Sequence, residues 1–438
     1  MVKDSIKLVP PLPWVSPSGN GGFVHEISGD CLVLNAIKET SQDQMTISIT
    51  TDSHHMLNMV GSLNVVGSNA IFHCHHGQEK ALATLVGKVR KSQHVDICVN
   101  KDVEASDRFT GFSDFSFVPE SLPELDEDDI DTSRNFLDRS FSAPLFISGM
   151  TAGTEKASLI NHRLAFAASK FNIPMGIGSQ RLAQENLVPR SVFAVKKTFP
   201  NIFLVGNLGF AQLKRPDFLD ICHDAVEMIE ADALAIHLNT VQECLQIEGD
   251  RQFKGVLERI RATCQSIQVP IVIKEVGSGM SPDSSRKLID AGVSVIDIAG
   301  KGGTSWGYIE GLRSSRRQSL ALAQSFRDWG IPTAYSLAAI RKDFPQFPLI
   351  ASGGIRDGLT VAKAIALGGT MAGMALPLLR AAMEGKEELV ETVDTIIRGL
   401  KTAMLACGCQ RLENLSKCIE IGKPLQNKAH QFWQENYR

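Results

Sequence analysis

The sequence predicts a (β/α)8 barrel, the TIM-barrel fold, and three observations carry that prediction. Eight short apolar and β-branched segments recur between residues 143 and 376. Segments with helical spacing of apolar residues lie between them, such as residues 155–171 and 281–292. Nearly every strand segment ends in glycine or polar residues, as expected at the ligand-binding end of such a barrel. The eight segments are APLFISGM (143–150), PMGIGS (174–179), IFLVGN (202–207), ALAIHL (233–238), IVIKEV (271–276), VIDIAG (295–300), LIASGG (349–354) and MAGMAL (371–376).

Other regions precede and follow the predicted barrel. Residues 1–84 form a small N-terminal accessory segment with strand signals in the runs TISITTD and LNVVGS, and we assign it no role. Residues 85–142 are a polar lead-in, residues 143–382 form the barrel, and residues 383–438 form a tail of C-terminal helices. Because the strand count is complete without the accessory segment, we predict that the enzyme unit begins near residue 85.

Composition argues against several classes of protein. The chain has 438 residues, a formal net charge of −3 and a pI of about 6.4, so no basic field favours nucleic acid or an anionic membrane surface. No apolar run approaches the ~20 residues of a membrane span, and the N-terminus lacks a continuous apolar signal region. The nine cysteines include no CxxC pair, which is typical of reduced thiols. We therefore predict a cytoplasmic enzyme that acts on a small molecule, and we expect a homo-oligomer.

The last two predicted strands indicate a phosphate site. The run ASGGIRDG (351–358) places two consecutive glycines at a strand end, directly before a helical segment. Free backbone N–H groups at such a position bind phosphate, and GMALP (373–377) supplies the neighbouring loop. Flavin mononucleotide (FMN) is a frequent occupant of this place in barrels, and Lys274 at the end of strand five could face the edge of its ring. The alternative is that the glycines serve only tight turns.

Polar residues also follow the fourth strand, in the run HLNTVQE. An extended backbone would point His237 and Asn239 to the same side, with Gln242 and Glu243 on the following loop. Glu243 could bind Mg²⁺ through oxygen, and the imidazole and amides could bind a diphosphate or transfer protons. Alternatively, Glu243 only caps the helix that follows.

Three potential cations, Arg90, Lys91 and His94, lie together in the run RKSQH upstream of the barrel. A basic triplet of this kind is usually solvated surface. Together with Arg181, which follows strand two in GSQR, it could instead close over an anionic substrate.

An ordered set of motifs resembles one family of enzymes. From Arg90 to the C-terminal helices, the motifs are RKSQH, TGFSDFSFVPESLPELDEDDID, APLFISGMTAG, MGIGSQR, VGNLGFAQL, ADALAIHLNTVQE, EGDRQFKGVLERI, VIKEVGSGMS, DIAGKGGTSW, WGIPTAYSL and IASGGIRDG. In that order they resemble the type 2 isopentenyl-diphosphate isomerases. The resemblance implies an FMN- and Mg²⁺-dependent barrel enzyme that interconverts isopentenyl and dimethylallyl diphosphate in isoprenoid biosynthesis. It also implies a reduced flavin, usually with NADPH as the reductant, although the reaction has no net redox change.

The resemblance implies roles for individual residues. The flavin contacts would be Met150, Thr151, Ser179, Asn207, Lys274 and Thr304, with phosphate contacts from Gly353, Gly354, Ile355, Arg356, Ala375 and Leu376. The substrate contacts would be Arg90, Lys91, His94, Arg181, His237, Asn239 and Gln242. The resemblance implies Gln242 as the catalytic residue and Glu243 as the metal ligand. Glu310 matches a carboxylate of the family's site, and we assign it no role.

The sequence departs from the family pattern at two positions and leaves two rival functions. Ala152 replaces the third residue of the usual MTGG, and Lys301 replaces the arginine of GRGGTSW. One rival is an FMN-dependent 2-hydroxyacid oxidase or dehydrogenase, which requires a histidine near an arginine around strand seven. The sequence has no histidine between Trp306 and His430. The other rival is a non-catalytic flavin-binding sensor with residues 1–84 as its partner-binding module, which the intact HLNTVQE run disfavours.

Overall fold

The structure is a computed structural model that describes residues 6–15, 21–28, 31–35, 42–50, 56–66, 69–74, 79–151, 153–247, 249–314 and 316–421. Its central feature is a closed barrel of eight parallel strands, as the sequence predicted. Each predicted strand segment overlaps one barrel strand, although the third strand continues two residues beyond its predicted end at residue 207. The strands follow one another around the barrel in chain order. The fold is therefore a TIM barrel.

The N-terminal region forms a second, smaller barrel. Its six antiparallel strands are β1 (Ile6–Val15), β2 (Gly21–Ser28), β3 (Cys31–Asn35), β4 (Gln42–Thr50), β5 (Met56–Val66) and β6 (Asn69–Cys74). The order around the barrel is β1-β2-β3-β6-β5-β4, and β4 closes it by pairing with β1. Val24, Leu32, Ile49 and Met59 are fully buried. The accessory segment thus has its own sheet, in which β4 includes residues 46–50 of the run TISITTD and β5 includes residues 63–66 of the run LNVVGS.

Helix α1 (Glu79–Asn100) and three short strands lead into the large barrel. The strands are β7 (Phe115–Phe117), β8 (Arg134–Phe136) and β9 (Arg139–Phe141). α1 begins six residues before the boundary predicted at residue 85, so that boundary falls inside a helix. β8 and β9 form a hairpin whose Phe136 and Phe141 pack on Phe203 near the start of the third barrel strand, with ring centroids 6.3 and 5.6 Å apart. The hairpin therefore covers the end of the barrel opposite the strand C-termini.

The large barrel consists of β10 (Leu145–Ile147), β11 (Met175–Gly176), β12 (Leu204–Gly209), β13 (Ala233–His237), β14 (Ile271–Lys274), β15 (Val295–Asp297), β16 (Leu349–Ser352) and β17 (Met371–Met374). The helices that accompany it are α2 (Glu155–Phe171), α3 (Arg181–Gln184), α4 (Phe210–Leu213), α5 (Phe218–Ile229), α6 (Thr240–Leu245), α7 (Val256–Ser266), α8 (Pro282–Asp290), α9 (Trp306–Arg313), α10 (Arg317–Ser325), α11 (Thr333–Asp343), α12 (Gly358–Ala366), α13 (Leu376–Glu384) and α14 (Lys386–Ala406). Short 3-10 helices lie at Phe112–Asp114, Glu127–Asp129, Arg190–Phe193, Val195–Lys197 and Leu412–Lys417.

Local sequence explains where several helices begin. Thr154 caps α2 by accepting a hydrogen bond from the N–H of Ala157 at 3.0 Å. Ser281 caps α8 in the same way, and Pro282 occupies the first helical position, where its missing N–H costs nothing. Asp357 caps α12 by accepting from the N–H of Thr360 at 2.7 Å. These caps fix the direction in which each helix leaves the ligand-binding end of the barrel.

The C-terminal tail is only partly helical. α13 and α14 supply the helices that the sequence predicted, but the chain then forms β18 (Ile419–Ile421), which pairs antiparallel with β7. The predicted terminal helix at residues 427–438 lies outside the described residues. In the part of the chain that the structure describes, no helix combines the length and apolarity needed to cross a membrane.

Candidate active site

A deep cleft opens at the C-terminal ends of the barrel strands. It encloses about 1610 Å³, including open solvent at its mouth. Residues that follow the barrel strands form its floor and walls, and α1 contributes one side.

Almost every residue that the sequence assigned to the site lines this cleft. The lining includes Arg90, Lys91, His94, Met150, Thr151, Ser179, Arg181, Asn207, His237, Asn239, Gln242, Glu243, Lys274, Thr304, Gly353, Gly354, Arg356, Ala375 and Leu376. Ile355 differs, because its side chain is fully buried in the core and only its backbone could serve a ligand. Glu310 also lies behind the cleft wall rather than in it, with 3% of its surface exposed. The roles of these residues remain predictions.

α1 brings a basic face to the cleft. Arg90, Lys91 and His94 fall within two turns of this helix and line the same wall. Burial, followed by the neighbouring charge of Arg90, lowers the pKa of Lys91 to about 7. Burial likewise lowers the pKa of His94 to about 4, although Glu310 opposes this effect. These groups repel one another when protonated, so an anion bound among them would relieve that repulsion.

The ends of β12 and β13 hold His237 and Asn207 together. Nδ1 of His237 lies 2.8 Å from Oδ1 of Asn207. Burial, followed by the charges of Lys91 and Lys274, lowers the pKa of His237 to about 3. A neutral imidazole that donates its Nδ1 proton to Asn207 leaves Nε2 without a proton.

α6 places two amides and one carboxylate side by side. Nδ2 of Asn239 donates to Oε1 of Gln242 at 3.1 Å and to Oε1 of Glu243 at 2.9 Å. The other carboxylate oxygen of Glu243 accepts from the N–H of Asp250 at 2.7 Å. The carboxylate therefore points toward the cleft and toward the loop that contains Asp250. This orientation disfavours the alternative that Glu243 only caps α6.

The glycines after β16 are required by close backbone packing. Gly353 has φ +104°, and a Cβ there would lie 2.1 Å from the carbonyl oxygen of Gly300. Gly354 has φ +75° and also lines the cleft. Because Asp357 already caps α12, a phosphate would be bound by the loop before that helix and by the start of α13, rather than by the α12 terminus. The glycines thus serve tight packing and leave the backbone open to the cleft.

Arg356 has a partner that the sequence did not indicate. Its Nε lies 2.9 Å from Oε1 of Glu104, and its Nη2 contacts the same oxygen. Glu104 belongs to the segment that follows α1 and pairs with Thr304 through a β-bridge. Arg356 is therefore held at the cleft edge by the lead-in.

Lys274 also has a counter-charge that we did not predict. Its Nζ lies 3.5 Å from Oδ2 of Asp297, which is 1% exposed, and 2.8 Å from the carbonyl oxygen of Glu275. Asp297 Oδ1 in turn contacts Ser352 Oγ at 2.5 Å. The available signal was the single aspartate within the otherwise apolar run VIDIAG, because a buried carboxylate needs a partner.

Buried hydroxyls at the floor fit a bound cofactor. Ser148 Oγ and Thr151 Oγ1 are buried and have no hydrogen-bond partner within the described part of the chain. Both residues line the cleft after β10, where the flavin was predicted. Since buried polar groups are rarely left unbonded, these hydroxyls fit the polar atoms of a flavin.

Glu243 fits Mg²⁺ only with help from a substrate. Across the described residues, no three His, Cys, Asp or Glu side chains converge on a metal position. Mg²⁺ commonly uses one or two carboxylates together with phosphate oxygens and water. A single carboxylate in a cleft that is also lined by Arg90, Lys91 and Arg181 matches that arrangement.

The class of protein follows from the barrel and from comparison with known proteins. The FMN-dependent dehydrogenase family matches residues 224–420. A solved flavocytochrome b2 aligns with a TM-score of 0.58 at 16% identity, over 79% of this chain and 88% of its own. A solved mandelate oxidase aligns with a TM-score of 0.55 at 16% identity, over 76% and 94%. At this identity the likeness shows the fold, which is that of the FMN-dependent barrel enzymes.

Closer relatives identify the family within this class. Isopentenyl-diphosphate delta-isomerases from Nostoc sp., Pyrococcus furiosus and Xanthobacter autotrophicus are 44%, 44% and 45% identical over 326, 337 and 329 residues. The alignments cover 74%, 75% and 75% of this chain and 93%, 85% and 96% of the relatives. The chain belongs to the isopentenyl-diphosphate delta-isomerase family, as its motifs indicated. Its likeness to the hydroxyacid oxidases is one of fold.

Proposed function

We propose that this enzyme interconverts isopentenyl diphosphate and dimethylallyl diphosphate by a 1,3 proton shift, with reduced FMN and Mg²⁺. The observation that carries the proposal is the convergence of the α1 cations with the β13–α6 polar residues in one cleft above the predicted flavin floor. The relatives at about 44% identity carry the name of this activity. The substrate class is therefore a small alkene joined to a diphosphate.

The basic wall would bind the diphosphate. Arg90, Lys91, His94 and Arg181 line the cleft together with His237 and Asn239. The charges of Lys91, Arg181 and Arg90 all act on the His237 imidazole. Diphosphate carries several negative charges, so it would favour the protonated form of Lys91. The same charge would raise the pKa of His237 and allow Nε2 to donate to a phosphate oxygen. Fixing the diphosphate holds the alkene at a defined distance from the reacting groups.

Gln242 would take part in the proton shift, in which the terminal alkene carbon gains a proton and the methylene carbon on the other side of the tertiary carbon loses one. Its Nε2 donates to Oε1 of Glu310 at 2.8 Å, so a carboxylate stabilises positive charge that develops on the amide. An isolated alkene is a very weak base, and FMN in its reduced form, when bound, would supply an electron-rich ring that stabilises positive charge developing on the substrate. NADPH would serve only to reduce the flavin, because the isomerisation has no net redox change.

Glu243 would bind Mg²⁺ together with the substrate. Both of its oxygens already accept a hydrogen bond, which orients the carboxylate before the metal arrives. A metal there would neutralise the diphosphate further. We therefore expect metal affinity to depend on bound diphosphate.

An anaerobic isomerase assay tests the proposal. Purified protein would be given isopentenyl diphosphate with FMN, reductant and Mg²⁺, and each would be omitted in turn. We expect dimethylallyl diphosphate only with the complete mixture. Oxidation of a 2-hydroxy acid without isomerisation would contradict the proposal and favour the oxidase alternative, and flavin binding with neither activity would favour a sensor.

A further inference from the structure

A buried ion pair lies directly behind the cleft wall. Arg313 and Glu310 are one helical turn apart on α9, and Arg313 Nη1 contacts Oε2 of Glu310. Their side chains are only 2% and 1% exposed. Neither residue lines the cleft. The pair is thus close to the reacting groups without reaching a substrate.

The two oxygens of Glu310 have separate partners. Oε2 faces Arg313, whereas Oε1 lies 3.0 Å from His94 Nε2 and 2.8 Å from Gln242 Nε2. One carboxylate therefore joins three helices: α9 itself, α1 through His94 and α6 through Gln242. If the carboxylate turned, both contacts on the cleft side would change.

Gln242 is oriented by this arrangement. Its Nε2 is taken by Glu310, and its Oε1 accepts from Nδ2 of Asn239 at 3.1 Å. The amide thus has a defined face toward the cleft. Arg313 also reaches α1, because its Nε lies 3.3 Å from Oε1 of Gln93, the neighbour of His94.

We infer that Arg313 is a positioning residue for the proposed isomerisation: it holds the Glu310 carboxylate, which in turn orients Gln242 toward the alkene. The inference rests on the proposed function of Gln242. Removing one partner of a buried pair leaves a charge without compensation, so Glu310 without Arg313 would take up a proton or move. Either outcome weakens the hydrogen bond that fixes Gln242.

The local charges support this role. Burial alone would raise the pKa of Glu310, but Arg313 and His94 together hold it well below its usual range. Lys91 and Arg90 on α1 add positive charge on the cleft side, and Gln242 on α6 contributes a hydrogen bond. Glu310 is therefore ionised during turnover, with Arg313 as its closest counter-charge.

A double-mutant cycle tests the inference. Arg313→Met removes the charge but keeps much of the side-chain volume, and we expect kcat to fall about 30-fold with KM changed less than about threefold. In a Gln242→Ala background the same change should lower kcat by less than about threefold, because the orientation is already lost. Arg313→Lys should recover part of the loss. Equal effects of Arg313→Met in both backgrounds would overturn the inference.

Two further variants test whether a loss of activity in Arg313→Met comes from a general effect of removing an arginine or from a failure to fold. Arg341→Met is the matched control, since Arg341 bonds carbonyl oxygens of Gly368 and Phe344 away from the cleft, and we expect its kcat to stay within about twofold. If Arg313→Met does not fold, the combined Glu310→Gln and Arg313→Met variant removes both charges. We expect the combined variant to bind FMN and to have the same kcat as the Glu310→Gln variant. A kcat equal to that of wild type would overturn the inference.

A crystal structure separates this inference from the proposed function. If the wild type does not isomerise, the proposed function fails. The position of Gln242 in the Arg313→Met or double-variant crystal is still informative: a displaced or disordered amide supports the positioning role. An unmoved Gln242 overturns it, whatever the activity.

Discussion

Nδ1 of His237 lies 2.8 Å from Oδ1 of Asn207, at the ends of the neighbouring strands β13 and β12. The register places His237 opposite Gly209, and a Cβ at Gly209 would lie 2.9 Å from Nε2 of His237. Glycine at that position therefore leaves room for the ring. The pair fixes the imidazole in one orientation at the cleft wall.

The first prediction concerns the pH dependence of stability without ligands. The pKa of His237 is about 3 in the folded protein and 6.5 as the ordinary value. Between those values the unfolded chain binds more protons, so the stabilisation present above the ordinary pKa is lost as pH falls. From pH 6.5 to about 5, we expect wild type to lose about 1–2 kcal/mol more than His237→Gln, or about 1–3 °C in Tm for a chain of this length.

Comparing wild type with His237→Gln separates the contribution of His237 to the pH dependence of stability from that of other titrating groups. Glu275 has its pKa raised to about 7, mainly by burial, and it titrates in the opposite sense. His94 titrates in the same sense as His237. Both are present in the variant, so their effects cancel. Identical pH profiles of Tm would show that His237 is not held neutral.

The second prediction concerns Gln242. Gln242→Ala should lower kcat at least about 100-fold while the Kd for FMN changes less than about twofold, because the amide acts on substrate rather than on the flavin. Stopped assays and flavin fluorescence measure the two quantities. Gln265→Ala, an exposed glutamine on α7, is the control. Wild-type turnover in Gln242→Ala would remove the proton-transfer assignment and leave the fold unaffected.

The third prediction concerns Glu243 as a metal ligand. Glu243→Gln keeps the shape but removes the charge, so Mn²⁺ binding in the presence of inorganic diphosphate should weaken about tenfold or more. Electron paramagnetic resonance measures the free metal directly. The exposed Glu258→Gln change on α7 should have no effect. If Mn²⁺ binds both variants equally, the metal lies elsewhere.

The fourth prediction concerns Lys274 and the flavin. Lys274→Met removes the cation at the end of β14 and leaves the Asp297 carboxylate without it. We expect the Kd for FMN to rise about tenfold, since a buried negative charge then faces the site. Lys287→Met on the exposed side of α8 serves as the control. An unchanged Kd would show that Lys274 does not contact the cofactor.

The fifth prediction concerns the small N-terminal barrel. A chain that begins at Glu79 keeps α1 whole, together with Arg90, Lys91 and His94. We expect it to bind FMN and to retain isomerase activity within about threefold, because the large barrel has its own core. A chain that begins at Leu85 lacks the first turn and a half of α1 and should be less stable. A folded, FMN-bound but inactive chain from Glu79 would show that the small barrel contributes to the site.

The large barrel and most of the cleft lining could be predicted from the sequence alone. Eight apolar segments with helical spacing between them allow few arrangements, and parallel strands bring all their C-terminal residues to one end. His237, Asn239 and Gln242 could be predicted to line the cleft because they lie at the end of a recognisable strand or shortly after it. Motifs in a fixed order then indicated the family.

The partners that hold these side chains could not be predicted from the sequence and become visible in the folded chain. Asp297 meets Lys274 across neighbouring strands, and Glu104 meets Arg356 from a segment 252 residues away. Arg313 and Glu310 lie on α9 in a run with no recognisable site motif, and the role that we infer for them rests on their contacts with α1 and α6. The periodicity of apolar residues indicates which face of a helix or strand is buried. It does not indicate which distant side chain forms an ion pair with a buried charged group. That pairing depends on packing between elements far apart in the chain, and it appears only when the barrel closes.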